Sequence, residues 1–297
     1  MFWQQVVNSI SLGAVYAIFA VGYTLVFGVL RILNLAHASV YMVGAFVALY
    51  IVSTFGASIL PAMLASMMLC GGLGAALYYL VFKPLRRRQV AHQESELLML
   101  IASIAASNII ISGVRLVVGV DVMRFPAQPF AERMLAVGSV QVSALQLMIL
   151  LASLLLMAVL QFAVSRTPQG REIRAVAESD RTAGLLGVDV ERVIVLTMVI
   201  SAALGAAAGV LISLQTNSLW VHMGDIVELK ALSIIILGGL GSISGAFVAA
   251  LLIGFVDVFS TAYISSLWKD AIIFGILFVT LIARPSGLFG ARERRRV

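Results

Sequence analysis

Charge is what this sequence has least of. From Met1 to Phe82 the only Asp, Glu, Lys or Arg is Arg31, and the first acidic residue is Glu94. Only 11% of the 297 residues are charged, against 61% hydrophobic. Soluble domains carry about 25% charged residues, so a water-soluble globular fold is excluded. There is one cysteine, Cys70, in an apolar run; no disulfide can form within the chain, and its expected role is apolar filler. The three histidines are far apart in sequence and show no metal-ligand spacing; no metal and no cofactor are expected. The opening MFWQQVVNSI lacks the basic region of a secretory signal and reads as the lead into a retained first helix. No G-x-x-x-x-G-K-[ST] loop is present, and the run Gly238–Gly245 has no lysine, so ATP chemistry would have to come from another polypeptide. Barrel strands would alternate polar and apolar residues over about 10 positions. Here the apolar runs are continuous, which leaves helices as the way to satisfy the backbone in lipid.

What is there is oil in long segments, with mean hydropathy +1.06. The reading is an all-α polytopic membrane protein, a single membrane domain over 1–297, with about 8–10 transmembrane or re-entrant helices of about 20 residues each. Expected spans cover 5–30, 38–54, 61–82, 95–118, 140–165, 193–214, 231–256 and 267–283. The run Lys83-Pro-Leu-Arg86-Arg87-Arg88 and the tail 284–297, with Arg292, Arg294, Arg295 and Arg296, are basic and therefore cytoplasmic. Residues 119–140 and 215–230 are placed outside, and Arg115 is expected to snorkel to the outer surface. The net charge of +6 gathers in Arg-rich patches, a pattern of membrane topology rather than of nucleic-acid binding. Span parity stays open: either the glycine-rich interruption at 238–245 is a full turn between two short helices, or one apolar run is re-entrant. Gly44-Ala-Phe-Val-Ala48 recurs as Gly245-Ala-Phe-Val-Ala249, each copy after an interrupted apolar segment, which suggests two repeated halves.

The longest polar island is 167–192. It carries Arg171, Glu172, Arg174, Glu178, Asp180, Arg181, Asp189, Glu191 and Arg192, so it cannot lie in hydrocarbon. Thr167-Pro168 marks a helix start, Arg174 and Glu178 are spaced to pair on one face, and Gly184 and Gly187 bracket two leucines in a helix-ending turn. Asp189 can cap the next helix. Such a folded loop is either a docking site for a soluble partner or an ordinary solvated connection.

Within the spans, Asn34 and His37 interrupt an apolar helix. They either bond freed backbone groups at a local break or surface turn, or line a water-filled path; Tyr41, one turn on, reads as packing before substrate contact. Gly238, Gly239, Gly241 and Gly245 allow either close helix packing or an unwound segment. Asp257, nearly isolated between apolar runs, is expected to be solvated near a helix end.

Several of these stretches together resemble the branched-chain amino acid ABC transporter permeases, and this chain is similar to the shorter of their two permease subunits. The resemblance runs through Gly22–His37 and Tyr41–Gly44, Gly170-Arg-Glu-Ile-Arg-Ala-Val-Ala-Glu178, Ala183–Val188, Leu237–Ala246 and Arg284-Pro-Ser-Gly-Leu-Phe289. It implies a bacterial inner-membrane importer of branched-chain or other small hydrophobic amino acids. It also implies partners: a second permease, two cytoplasmic ATPases and an extracytoplasmic binding protein, around a chain in contact with lipid that is not itself an enzyme. Under it, the cytoplasmic coupling loop at about 166–192 contacts the ATPase through Arg171, Arg174, Glu178, Asp180, Arg181, Ala183, Gly184 and Gly187. Against the E-A-A-x-x-x-G coupling loop of many importers, Arg181–Gly187 keeps only Ala183 and Gly187. The pathway residues would be Asn34, His37, Tyr41, Gly238, Gly239, Gly241 and Gly245. Urea or short amides are an alternative cargo. An ion-coupled secondary transporter would show buried acidic residues at mid-membrane, and a membrane-embedded enzyme would show a cluster of His, Asp, Glu or Cys; the sequence suggests neither.

Overall fold

The computed structural model describes residues 2–86, 92–126, 134–137 and 140–289. Arg87, Arg88 and the tail arginines Arg292, Arg294, Arg295 and Arg296 lie outside the described residues. The elements in order are α1 Phe2–Leu30, α2 Ala36–Phe55, α3 Ile59–Leu77, a π-helical turn Tyr78–Phe82 and α4 Lys83–Arg86, which together form one rod, then α5 His92–Val118. A two-stranded antiparallel hairpin follows, β1 Met134–Val137 and β2 Val140–Ser143. The rest is helical: α6 Ala144–Arg166, α7 Pro168–Glu178, α8 Asp180–Leu185, α9 Val190–Thr216, α10 Met223–Gly238, α11 Ile243–Tyr263 and α12 Lys269–Ala283.

Among the described residues, seven helical segments are long and apolar enough to cross a membrane. The shorter apolar helices α10 and α12 pack among them, for nine in all, within the expected range. The chain therefore spans a membrane many times.

The helix at the centre is α1. Nearly every residue from Ser9 to Val26 is buried, because glycine, alanine and serine recur along it and let backbones approach closely. It packs most extensively on α11, with Gly13 against Leu251 and Gly254 against Ser9, so the two run antiparallel. The second bundle axis is α9, against α2 and α3. Across α2 and α3 the Ser66 hydroxyl donates to the Gly44 carbonyl at 2.7 Å. An interhelical bond of this kind is worth about 0.6–2 kcal/mol in a membrane bundle.

Two expectations are corrected here, and one that stayed open is resolved. The apolar run 231–256 takes the first of its two alternatives. It is the end of α10, a turn over Gly239–Ser242 and the start of α11, so the glycine run is a full turn between helices. Residues 215–230 are not all loop: α10 begins at Met223 and already contains Lys230, which is buried. The segment 140–165 does not enter a helix at once, since Val140–Ser143 pairs with Met134–Val137 and the helix starts at Ala144, capped by the Ser143 side chain. Gly44 lies deep within α2 and Gly245 in the first turn of α11, so the two copies of the repeated pentapeptide occupy different places in their helices.

Candidate coupling and pathway sites

The polar island folds as a compact element at one end of the bundle. Thr167 caps α7, its side chain accepting from the Gly170 amide at 3.0 Å, with Pro168 at the first helical position. Gly170, Ile173 and Val176 form the buried stripe of α7, while Arg171, Glu172 and Arg174 stay exposed. Gly170 sits directly on the Ala163 and Val164 carbonyls, where a side chain would have no room. Ser179 caps α8 by accepting from the Thr182 amide at 3.2 Å, Gly187 ends the turn at φ 89°, and Asp189 caps α9 by accepting from the Arg192 amide at 3.1 Å.

Side chains from the end of α1 and from α4 tie this element down. Arg31, just past α1, donates to the Ala177 and Glu178 carbonyls at 3.3 and 2.9 Å. Arg86 pairs with Asp180 at 3.2 Å, and Lys83 pairs with Glu191. The one charge in the first 82 residues therefore holds the island to the bundle. Replacing it, Arg31→Met, should speed tryptic cleavage at Arg171, Arg174 and Arg181 several-fold without altering the bundle, since hydrogen bonds from a charged donor limit local opening. Equal cleavage rates in the two proteins would show that these bonds do not restrain the element.

The expected residues separate on inspection. Arg171, Glu178, Asp180, Arg181, Gly184 and Gly187 are exposed on the element's surface, whereas Ala183 is buried beneath it at 3% exposure. Arg174 does not pair with Glu178. Its guanidinium folds back to the Val164 carbonyl, because α7 lies against the end of α6 and that unsatisfied helix-end carbonyl is nearer than a solvated carboxylate. Leu185 and Leu186 were missed. They stand 82% and 80% exposed at the tip, and two leucines between glycines inside a polar stretch were the available signal.

The α1–α2 connection begins at the polar-element end, where Arg31 meets α7, and α2 then turns back along α1, with Tyr23 beside His37 and Phe19 beside Tyr41. Asn34 accepts from the Ala36 amide at 3.2 Å and the His37 amide donates to the Asn34 carbonyl at 3.1 Å, so the break is satisfied locally. His37 sits in a notch beside Gly22 and Gly205, its Nδ1 3.3 Å from the Ser201 hydroxyl. Ser201 is 11 residues beyond Val190, about 16 Å into α9 at 1.5 Å per residue, so His37 is enclosed in the bundle, while the connection itself is a turn between two spans that begins at the exposed Arg31. Phe19 stacks against both His37 and Tyr41, and Tyr23 meets His37 edge-on at 5.6 Å. Three enclosed polar atoms, His37 Nε2, Tyr23 OH and Tyr41 OH, have no hydrogen-bond partner. Such atoms are rare in native cores.

The glycine run is elsewhere. Gly238 and Gly245 meet backbone to backbone, Gly239 and Gly241 take φ of 99° and 82°, and Gly241 lies beside Gly28. That is about 9 Å along α1 from Gly22, so the two groups of pathway candidates are not brought together. The segment after α12 returns to this turn: the Leu288 amide donates to the Leu237 carbonyl at 2.8 Å and the Phe289 amide to the Gly238 carbonyl at 3.2 Å. The two late motifs, Leu237–Ala246 and Arg284–Phe289, are one packed unit.

Asp257 is the clearest correction. It is 4% exposed rather than solvated, and it pairs with Lys230 at 2.5 Å while accepting from the Tyr16 hydroxyl at 2.8 Å. In the extended sequence Lys230 closes a loop and Asp257 looks like a helix-end charge; the packing of α10 on α11 encloses them together.

These features define a polytopic helical membrane protein with a polar element tied to one end of the bundle and an enclosed aromatic and histidine cluster between its first two spans. The family model for the branched-chain amino acid transport system permease component matches residues 5–281, and the chain belongs to that family. It is 32% identical over 309 residues to the high-affinity branched-chain amino acid transport system permease protein BraD of Pseudomonas aeruginosa, covering 100% of this chain and 98% of that protein. It is 30% identical over 307 residues to the corresponding protein LivH of Escherichia coli K12, with the same coverage. A shorter match, 28% over 152 residues and 49% of this chain, is to the autoinducer 2 import system permease protein LsrC of an Enterobacter species, of which it covers 44%. Among solved structures, a metal-chelate type ABC transporter described in an inward-facing conformation superposes with a TM-score of 0.51 at 16% identity, covering 94% of this chain and 86% of that one. That likeness speaks to the fold alone.

Proposed function

We propose that this chain is the membrane permease of an ABC importer for branched-chain amino acids in a bacterial cytoplasmic membrane. The observation that carries the reading is the end-to-end similarity to BraD and LivH, whose names state that cargo, together with a polar element clamped to the end of α1 by Arg31 and to α4 by Arg86 and Lys83. The excess of lysine and arginine at that end assigns it to the cytoplasm. Separate ATPases dock on α7–α8, a second permease completes the pathway, and an extracytoplasmic binding protein delivers the cargo. The chain supplies mechanics and makes or breaks no covalent bond.

The mechanism follows from the clamping. ATP-driven approach of the ATPases displaces α7–α8 as one body, because its stripe of Ile173 and Val176 and its three ties prevent independent motion. The displacement passes directly to α6 and α9, which it joins, and through Arg31 to α1. Movement of α1 against α9 loosens the notch around His37, and Asn34, His37 and Tyr41 then face the pathway, where their polar atoms meet water and cargo. Gly238, Gly239, Gly241 and Gly245 serve this motion by keeping α10 and α11 in close register.

The test is to purify the chain with its partners, in native form and as Leu185→Asp with Leu186→Asp, and to assay vesicles for ATP-dependent uptake of labelled leucine. The native complex should retain the ATPase and take up leucine, with competition by isoleucine and valine but not by urea or acetamide. The double variant should keep the second permease and lose the ATPase. Uptake of amides alone would overturn the cargo, and uptake without ATP would move the chain to ion-coupled transport.

A further inference from the structure

A second polar cluster runs from mid-bundle, one helical turn along α1 from Phe19, to the first turn of α12 at the end opposite α7–α8. Lys230 in α10 and Asp257 in α11 have side chains only 6% and 5% exposed, 2.5 Å apart. Tyr16 of α1 joins them, its hydroxyl donating to Asp257 at 2.8 Å and accepting from Lys230 at 3.2 Å. Two further charges from the first turn of α12 reach in: Asp270 is 3.4 Å from Lys230, and Lys269 is 3.8 Å from the other oxygen of Asp257. The near oxygen of Asp270 is enclosed and accepts no hydrogen bond, although the Lys230 ammonium is within ion-pair range.

These four charges allow two complete pairings. In the present one Lys230 serves Asp257, and Lys269 and Asp270 stand at the margin. In the other, Lys230 serves Asp270 while Lys269 takes over Asp257. Each aspartate has a lysine within 4 Å in both, so the exchange leaves no buried carboxylate unpaired, which is the costly condition. The displacements required are small, because both alternative partners already lie within 4 Å. The far end of α12 is fixed differently: past Ala283 the chain is bonded through Leu288 and Phe289 to Leu237 and Gly238 at the end of α10. The helix thus has a pinned end and an end with two electrostatic seats.

We propose that Lys230 is the bolt of a two-position latch that holds the first turn of α12 either loosely, with Lys230 closed on Asp257 and Asp270 at 3.4 Å, or drawn in, with Lys230 closed on Asp270. The helix pivots on the 287–289 strap as the bolt moves. The latch gives the bundle two discrete arrangements at the end opposite the coupling element, as a switching device requires. It stands whether or not the cargo is an amino acid.

The test uses hydrogen–deuterium exchange of amides 268–272 in the full chain in lipid nanodiscs, so no cargo is needed. In Asp257→Asn, Lys230 should move to Asp270 and protection should rise about tenfold, the change that roughly 1.4 kcal/mol of added local stability gives. Adding Asp270→Asn should remove that gain, and Asp270→Asn should cost far more protection in the Asp257→Asn chain than in the native one. A fixed structural pair predicts unchanged or lower protection in Asp257→Asn and the same cost of Asp270→Asn in both backgrounds; either result overturns the latch. If Asp257→Asn does not fold, Lys269→Met decides. That residue is one-third exposed and is the lysine that must take over Asp257, so the latch predicts lower protection of the first turn. Removing a cation from a helix N-terminus would by itself raise protection, so unchanged or higher protection refutes the latch.

Discussion

Lys230→Met should destabilise the chain by about 3–5 kcal/mol, the cost of leaving a buried carboxylate without its partner. Asp257 is 4% exposed. With the lysine gone, one oxygen keeps the Tyr16 hydroxyl and the other has Lys269 only at 3.8 Å. Thermal unfolding of the detergent-solubilised protein would show the loss as a large fall in Tm and in recovered monodisperse material. Lys230→Met with Asp257→Leu should recover most of it, because replacing both members by apolar groups removes the desolvation penalty along with the bond. Asp257→Asn should be much milder than Lys230→Met, since Lys230 retains Asp270 within 3.4 Å. Equal losses for the two single variants would contradict this asymmetry.

The second large effect is expected at the glycine turn. A Cβ at position 245 would run into the Gly238 carbonyl, and one at 238 into the backbone of Gly245. Both obstacles are backbone, so neither can rotate away. Overpacking typically costs about 1–3 kcal/mol, and here it would also displace Gly239 and Gly241 from positive φ and the 287–289 strap from its two hydrogen bonds. Gly245→Val should therefore abolish folded yield. Gly184→Ala is the control for folding: its new methyl would meet only Val190, at 3.7 Å, and the variant should reach native yield. A well-folded Gly245→Val protein would mean that α10 and α11 do not need this approach.

What could be read without coordinates was what is local. The start of α7 at Thr167-Pro168 and the Asp189 cap of α9 depend on neighbours within one turn, and both are where the residues indicated. The clamps on the same element were not legible. Arg31 reaches Glu178 across 147 positions and Arg86 reaches Asp180 across 94, and nothing in a charge-poor run announces its partner. Lys230 and Asp257 show the same limit more sharply. Lys230 read as the end of an outside loop and Asp257 as a solvated charge near a helix end between apolar runs, and only the packing of α10 on α11 turns two apparent surface charges into a buried pair. At the glycine run the residues allowed an unwound segment or a close approach, and the decision came from the contact between Gly238 and Gly245. Arg174 failed for a different reason: the spacing to Glu178 was suitable, but the open carbonyl of Val164 at the end of α6 was nearer.

The strap formed by Leu288 and Phe289 also sets an order of assembly. A ribosome delivers α10 and the glycine turn well before it delivers residues 287–289, so while α11 and α12 are being inserted the carbonyls of Leu237 and Gly238 still await those two partners. The α10–α11 hairpin can enter the bilayer early, but its closing bonds form only once α12 has crossed and the chain has returned to the same side. Completion of this corner of the protein is therefore a report that the last span was inserted in the correct orientation. A chain with α12 misoriented would leave Gly238 uncapped beside the coupling element, marked as unfinished for membrane quality control.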